Sequence, residues 1–153
     1  MTEAIDRNYS VLVADADAIT CSALHGTLGD HGHQVTICHD GAEAWKLMQR
    51  GDRDLLLLDL DLPGLGGFDL LSRCRLSPDL EDVPIVVLSD STDDYVCDRA
   101  LALGASAFIT KPIRLPLLSH TVWQVLRNRA RDQELLRFKT LLGVESGRKA
   151  EFA

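Results

Sequence analysis

The chain has 153 residues, of which 46% are apolar and 25% charged, the balance of one soluble globular domain with a real core rather than of a disordered chain. Its net charge of −7 is unevenly spread: residues 1–113 carry 8 Lys/Arg against 19 Asp/Glu, whereas residues 114–153 carry 8 against 4. The acidic body argues against direct nucleic-acid binding, and no aliphatic run approaches the ~20 residues that a membrane span needs.

Five short apolar runs alternate with helical patterns. Tyr9–Ala14 (YSVLVA) reads as the first strand and Ala18–Asp30 as a helix carrying Leu24 and Leu28, with Gly32 as its stop. Gln34–Cys38 (QVTIC) is the second strand; Gly41–Arg50 follows, with Ala44, Leu47 and Met48 on one face and Gly51 at its end. Leu55–Leu58 (LLLL) is the third strand, flanked by Asp54 and Asp59, and a helix over Phe68–Leu76 stops before Pro78. Ile85–Leu88 (IVVL) is the fourth, and Thr92–Leu103 places Val96, Ala100 and Leu103 together before Gly104. Ala107–Ile109 (AFI) is the fifth, and a last helix begins near Leu115. Runs this short and apolar are expected to be strands buried on both faces. The order predicts an α/β fold, a doubly wound five-stranded parallel sheet of about 120 residues.

The last helix has more residues than the domain needs. Val122, Val125 and Leu126 suit the core; Arg127–Glu134 is polar; Leu135, Leu136, Phe138, Leu141 and Leu142 then form a second apolar patch. The helix either runs on past the domain or breaks and restarts, and the patch needs a partner: a second copy, another protein, or the domain's own flank. The division expected is a domain over 1–126 and a C-terminal helical extension and tail over 127–153. The basic tail is open to a phosphate backbone, an acidic partner or solvent.

Cys21, Cys38, Cys74 and Cys97 form no CxxC pair, and no histidine cluster accompanies them. Reduced, mostly buried thiols are expected rather than zinc or a redox pair. The polar start MTEAIDRNYS lacks a secretory h-region, so a cytoplasmic location is expected.

In an open parallel sheet, chemistry gathers beyond the carboxyl ends of the strands. Asp15, Ala16 and Asp17 follow the first strand, Asp59 and Asp61 the third, Ser89 and Asp90 the fourth, and Thr110, Lys111 and Pro112 the fifth. Carboxylates, one hydroxyl and one ammonium suit a divalent cation and a phosphoryl group.

The segment 9–126 resembles a response regulator receiver domain of two-component signalling. The likeness is carried by Asp59–Gly67 (DLDLPGLGG), with Pro63 and Gly67 four and eight residues after Asp59; by Gly104–Pro112 (GASAFITKP); and by Asp40–Ala44 (DGAEA). The resemblance implies a flavodoxin-like receiver fold. It makes Asp59 the phosphoacceptor, supplied by a histidine kinase or a histidine phosphotransfer protein. Ser89 and Lys111 would bind the phosphoryl group, with a cis Lys111–Pro112 bond. Asp15, Asp59 and the backbone carbonyl of Asp61 would hold Mg²⁺, and Ser89 and Phe108 would form the switch.

Two positions depart from that pattern. Ala16 stands where the family has a second acid, the usual direct Mg²⁺ ligand, and Asp17 does not simply replace it. Asp90 stands where a small residue is usual. Two like unit charges ~4 Å apart repel by about 4 kcal/mol at an effective dielectric near 20, an upper figure for a solvated rim. Weak or absent Mg²⁺ binding and slow autophosphorylation from small phosphodonors are therefore expected, with Asp90 or Asp17 as a water-mediated substitute ligand.

Three other functions share parts of this pattern. A haloacid-dehalogenase-type phosphatase shares the order Asp59, Ser89, Lys111, but residues 112–131 contain no acid and the chain has no room for a cap. A flavodoxin-like electron carrier needs a phosphate loop where Asp15–Ala18 would repel phosphate. A phosphorylation-independent receiver-like docking or dimerisation module, including a homodimer through the final helix or its extension, remains the serious rival. No enzymatic activity is expected. With no output segment recognisable after the receiver, output through a partner or dimerisation is expected.

Overall fold

The computed structural model describes residues 8–143. The polar start through residue 7 and the tail beyond residue 143 lie outside the described residues. The elements are β1 (Ser10–Ala14), α1 (Ala18–Asp30), β2 (Gln34–Cys38), α2 (Gly41–Met48), β3 (Leu55–Asp59), α3 (Gly67–Leu76), β4 (Ile85–Ser89), α4 (Asp94–Ala102), β5 (Ala107–Thr110) and α5 (Leu115–Leu141). All strand pairs are parallel, in the order β2-β1-β3-β4-β5.

The three central strands explain their own sequences. Leu12, Leu56, Leu58, Ile85 and Val87 face one core layer, shared with side chains of α2, α3 and α4. Val11, Val13, Leu55, Leu57, Val86 and Leu88 face the other, shared with α1 and α5. With both faces covered there is no polar alternation to keep, and the leucines of Leu55–Leu58 are all fully buried. The expectation of two-sided burial fails for the edge strands. Along β2, Gln34 is exposed and Val35, Thr36 and Ile37 are half-buried; in β5 only Ile109 is buried. An edge strand loses one neighbour, and β2 uses its open flank for polar contacts: Arg53 Nη1 donates to Thr36 Oγ1 at 2.7 Å.

Arg75 ties together the side of the domain opposite the strands' carboxyl ends. Its Nε donates to the Gly104 carbonyl at 2.9 Å, and its Nη1 donates to the carbonyls of Leu80, Glu81 and Val83 at 3.3, 3.1 and 2.8 Å. One guanidinium thereby satisfies loop carbonyls that no strand or helix reaches.

The last helix does not break. It runs 27 residues, about 40 Å. Leu118, Val122 and Leu126 are buried against α1 and the sheet. Arg129 is the last residue tied to the domain, donating to the Asp54 carbonyl at 3.1 Å. From Arg131 to the end of the helix every residue is exposed.

Cys21, Cys38 and Cys74 are buried and Cys97 half-buried, all four free. Burial, with nearby acids at the first two, pushes Cys21 up to about 11 and Cys38 up to about 12; burial alone lifts Cys74 to about 11. These thiols keep their protons in the fold at pH values where the unfolded chain, near 9.0, has lost them, so stability declines as pH rises from about 9 through 12. Thiol-reagent titration is expected to label Cys97 in the native protein and the other three only after unfolding. Rapid native labelling of all four would contradict their burial.

Candidate phosphoryl-acceptor site

The polar side chains buried among the described residues are Asp15, Asp59 and Ser89, and all sit at the carboxyl edge of the sheet. Strand order reverses between β1 and β3, so the crevice falls where Asp15 and Asp59 end their strands. The Asp15 N–H extends the sheet by donating to the Cys38 carbonyl at 3.1 Å, and Asp59 pairs with Leu88, which sets Ser89 one residue further on. Lys111 arrives from the end of β5; its N–H donates to the Ser89 carbonyl at 2.7 Å. The Lys111–Pro112 bond is cis, as the resemblance implied.

The two carboxylates are held alike. Asp15 Oδ1 accepts from Asp17 N–H at 2.8 Å and Asp59 Oδ1 from Asp61 N–H at 3.0 Å, each fixing its own loop. Their other oxygens face the Lys111 ammonium, at 2.8 Å from Asp15 Oδ2 and 3.3 Å from Asp59 Oδ2. Burial raises the pKa of Asp15 and the Asp59 charge adds to this, against the Lys111 and Asp17 hydrogen bonds. Burial pulls Lys111 down, but its hydrogen bond to Asp15 and the two negative charges outweigh it, and its pKa is raised.

The remaining predicted residues fall into place around this pair. Ser89 Oγ accepts from Ser91 N–H at 3.1 Å. Phe108 pairs with Val87 and is half-buried against the α2–α4 layer, on the far side of β4 from Asp59. Asp61 and Ala16 are exposed, and Ala16 contributes no side-chain oxygen. Asp17 is the N-cap of α1, its carboxylate accepting from Ile19 N–H, Thr20 N–H and the Thr20 hydroxyl. That commitment argues against Asp17 as a substitute ligand. Asp90 is exposed and shares with Asp17, Thr20 and Lys111 the rim of a cleft of about 610 Å³. Among the described residues no three His, Cys, Asp or Glu side chains gather into a metal-holding set.

Two neighbours escape a reading of strand ends that passes over the second strand. His39, just past β2, places Nδ1 2.9 Å from the Asp15 carbonyl; a carbonyl only accepts, so this nitrogen carries the proton. The Cys21 thiol donates to the same carbonyl at 3.2 Å. Together they fix the backbone from which the Asp15 carboxylate projects.

An open, doubly wound parallel sheet with an acid–lysine–hydroxyl group at its switch point defines a class of phosphoryl-handling signalling domains. A family model for the response regulator receiver domain matches residues 11–122, and the chain belongs to that family, the receivers of two-component signalling. The transcriptional regulatory protein AfsQ1 of Streptomyces coelicolor is 34% identical over 122 residues, 80% of this chain and 52% of its own length. The chemotaxis response regulator CheY4 of Vibrio cholerae superposes with a TM-score of 0.73 at 26% identity, over 78% of this chain and 99% of that one. The receiver domain of sensor histidine kinase PA1611 from Pseudomonas aeruginosa, 22% identical with a TM-score of 0.72 over 78% of this chain and 98% of that one, shares the fold; its structure has magnesium coordinated in the active site cleft. The chain spans between 16% and 56% of the lengths of the curated relatives it matches. No helix among the described residues is long and apolar enough to cross a membrane.

Proposed function

We propose that Asp59 accepts a phosphoryl group from the phosphohistidine of a histidine kinase or histidine phosphotransfer protein. The P–N bond breaks as a P–O bond to the Asp59 carboxylate forms. The observation that carries this reading is the Lys111 ammonium, held between Asp15 and Asp59, with the residue's backbone N–H on the Ser89 carbonyl. Lys111 then passes from the Asp59 oxygen to a phosphoryl oxygen, and Ser89 turns its hydroxyl from Ser91 toward the same group. Phe108, on the strand between Lys111 and the α4 face, follows this rearrangement and alters that face. The chain accepts one phosphate per molecule and is a switch rather than an enzyme. Residues 1–126 form the receiver, and 127–153 carry the interaction to a partner; direct nucleic-acid contact is not part of this reading, and the chain works in the cytoplasm.

The donor set suits a loosely held Mg²⁺. Asp15, Asp59 and the Asp61 carbonyl would hold it, with water filling the position that Ala16 leaves without an oxygen. When bound, Mg²⁺ neutralises charge on the acids and the incoming phosphoryl group. Ala16→Asp is expected to tighten Mg²⁺ binding by about tenfold, a gain of ~1.4 kcal/mol, read by fluorescence or calorimetric titration against the parent. Equal affinities would show that Ala16 does not weaken the site.

Incubation with a phosphorylated histidine donor, read by intact mass, tests the proposal. One phosphate is expected on the parent and none on Asp59→Asn. The rival reading, a docking module that works without phosphate, is favoured by Ala16 and by the exposed apolar end of α5; absence of any phosphate on the parent would turn the assignment to it.

A further inference from the structure

The distal end of α5 displays Leu135, Leu136, Phe138, Leu141 and Leu142, each at least half exposed. A helix end of this composition is unstable in water unless its apolar side is covered. Leu118, Val122 and Leu126 already occupy the face turned to the core, and Leu136 lies on that side, over a cavity floored by Pro84 and Ser106. Leu135 borders that cavity too, and joins Phe138 and Leu142 along the helix. Their spacing of three and four is that of the a, d and a positions of a heptad seam, with Asn128 and Arg131 one heptad upstream.

We infer that this seam pairs two copies of the chain as a short parallel coiled coil. The charges beside the seam select the occupant. With Leu135 at a, Glu134 and Arg127 fall at g, and Lys139 and Asp132 at e. In a parallel pair each g residue meets the e residue five positions later in the other helix. Glu134 then faces Lys139 of the second copy and Arg127 faces Asp132, so all four flanking charges on both helices find opposites, while Arg131, exposed at d, meets its own counterpart. An antiparallel pair joins Lys139 to Asp132 but sets Glu134 against Leu141. Asn128 at an a position favours the same in-register, two-stranded arrangement. The seam and the site at the carboxyl edge of the sheet share no residue, so pairing holds whether or not Asp59 carries phosphate, and the two readings are tested separately.

Sedimentation equilibrium of the 153-residue chain, from micromolar to millimolar concentration, decides the matter. A reversible monomer–dimer equilibrium that weakens with salt is expected. Glu134→Lys and Lys139→Glu are each expected to weaken it by about tenfold, since both Glu134–Lys139 contacts become repulsions, while an equimolar mixture of the two regains parental affinity as a heterodimer. Phe138→Asp is expected to be monomeric with an unchanged thermal melt of the globular part, because its side chain touches no core residue. A chain that stays monomeric throughout, or a dimer indifferent to Glu134→Lys and Lys139→Glu, would overturn the proposal.

Discussion

Replacing Lys111 by methionine is expected to destabilise the domain by about 2–4 kcal/mol near neutral pH in magnesium-free buffer, and the deficit is expected to shrink as the solution is made acidic. The ammonium is the cation within hydrogen-bonding reach of both Asp15 and Asp59, and Asp15 has no solvent exposure to fall back on. Removing one partner of a buried pair strands the other charge, and the ammonium's own partial exposure keeps the figure below the extreme for a fully buried pair. The sign with pH follows from Asp15. Its folded pKa already lies above the ordinary 3.8, so the folded state binds more protons than the unfolded one above that pH, and its ionisation costs stability as pH rises. Without Lys111 that pKa climbs further and the cost grows. Urea titrations of parent and variant at mildly acidic and at neutral pH would show converging curves on the acid side. Adding Asp15→Asn to the variant is expected to restore most of the loss; a double variant no better than the single would mean that Lys111 stabilises through something other than charge.

Gly41→Ala is expected to cost about 3 kcal/mol, with a correspondingly lower Tm. A Cβ at position 41 would lie 1.7 Å from the Leu65 carbonyl oxygen, and backbone cannot rotate out of the way as a side chain does. Gly41 N–H donates to the Pro63 carbonyl at 3.0 Å, so the first turn of α2 is where the loop after Asp59 rests. The substitution therefore pushes on residues 63–65, and faster amide exchange there is expected beyond what the lower global stability accounts for. Gly67 makes the matching contact from the loop's other end: a Cβ there would stand 2.5 Å from the Leu60 Cα. The glycine that closes the segment Asp59–Gly67 is thus one whose backbone lies flat on the end of β3.

Much of this architecture was legible because a doubly wound sheet writes itself plainly. Each central strand is a short apolar run whose ends are marked by acids, hydroxyls or glycine, and the observed limits lie within a residue or two of those marks. The same economy located Asp15, Asp59, Ser89 and Lys111, since parallel strands deliver their final residues to one edge. The edge strands were less legible: QVTIC carries Gln34 and Thr36 at alternate positions, a trace of one-sided burial that the apolar average conceals. Asp17 had a local signature, an acid immediately before a helix, and the structure shows it spent on that cap. Arg75 left no such trace, and His39 left only its position just past β2. Their roles depend on carbonyls brought near by the packing of distant segments, Gly104 in one case and Asp15 in the other, and no spacing along the chain encodes that.

The unbroken α5 has a mechanical consequence. After Pro116 it contains neither proline nor glycine, and its last anchor to the domain is Arg129. The stretch beyond Arg129 is about 18 Å long. It therefore acts as a lever arm: a tilt of roughly 5° about the segment where Leu118 and Leu126 seat in the core would carry the tip near Leu141 sideways by about 2.5 Å, so that a small repacking at the root is delivered, amplified, well away from the sheet.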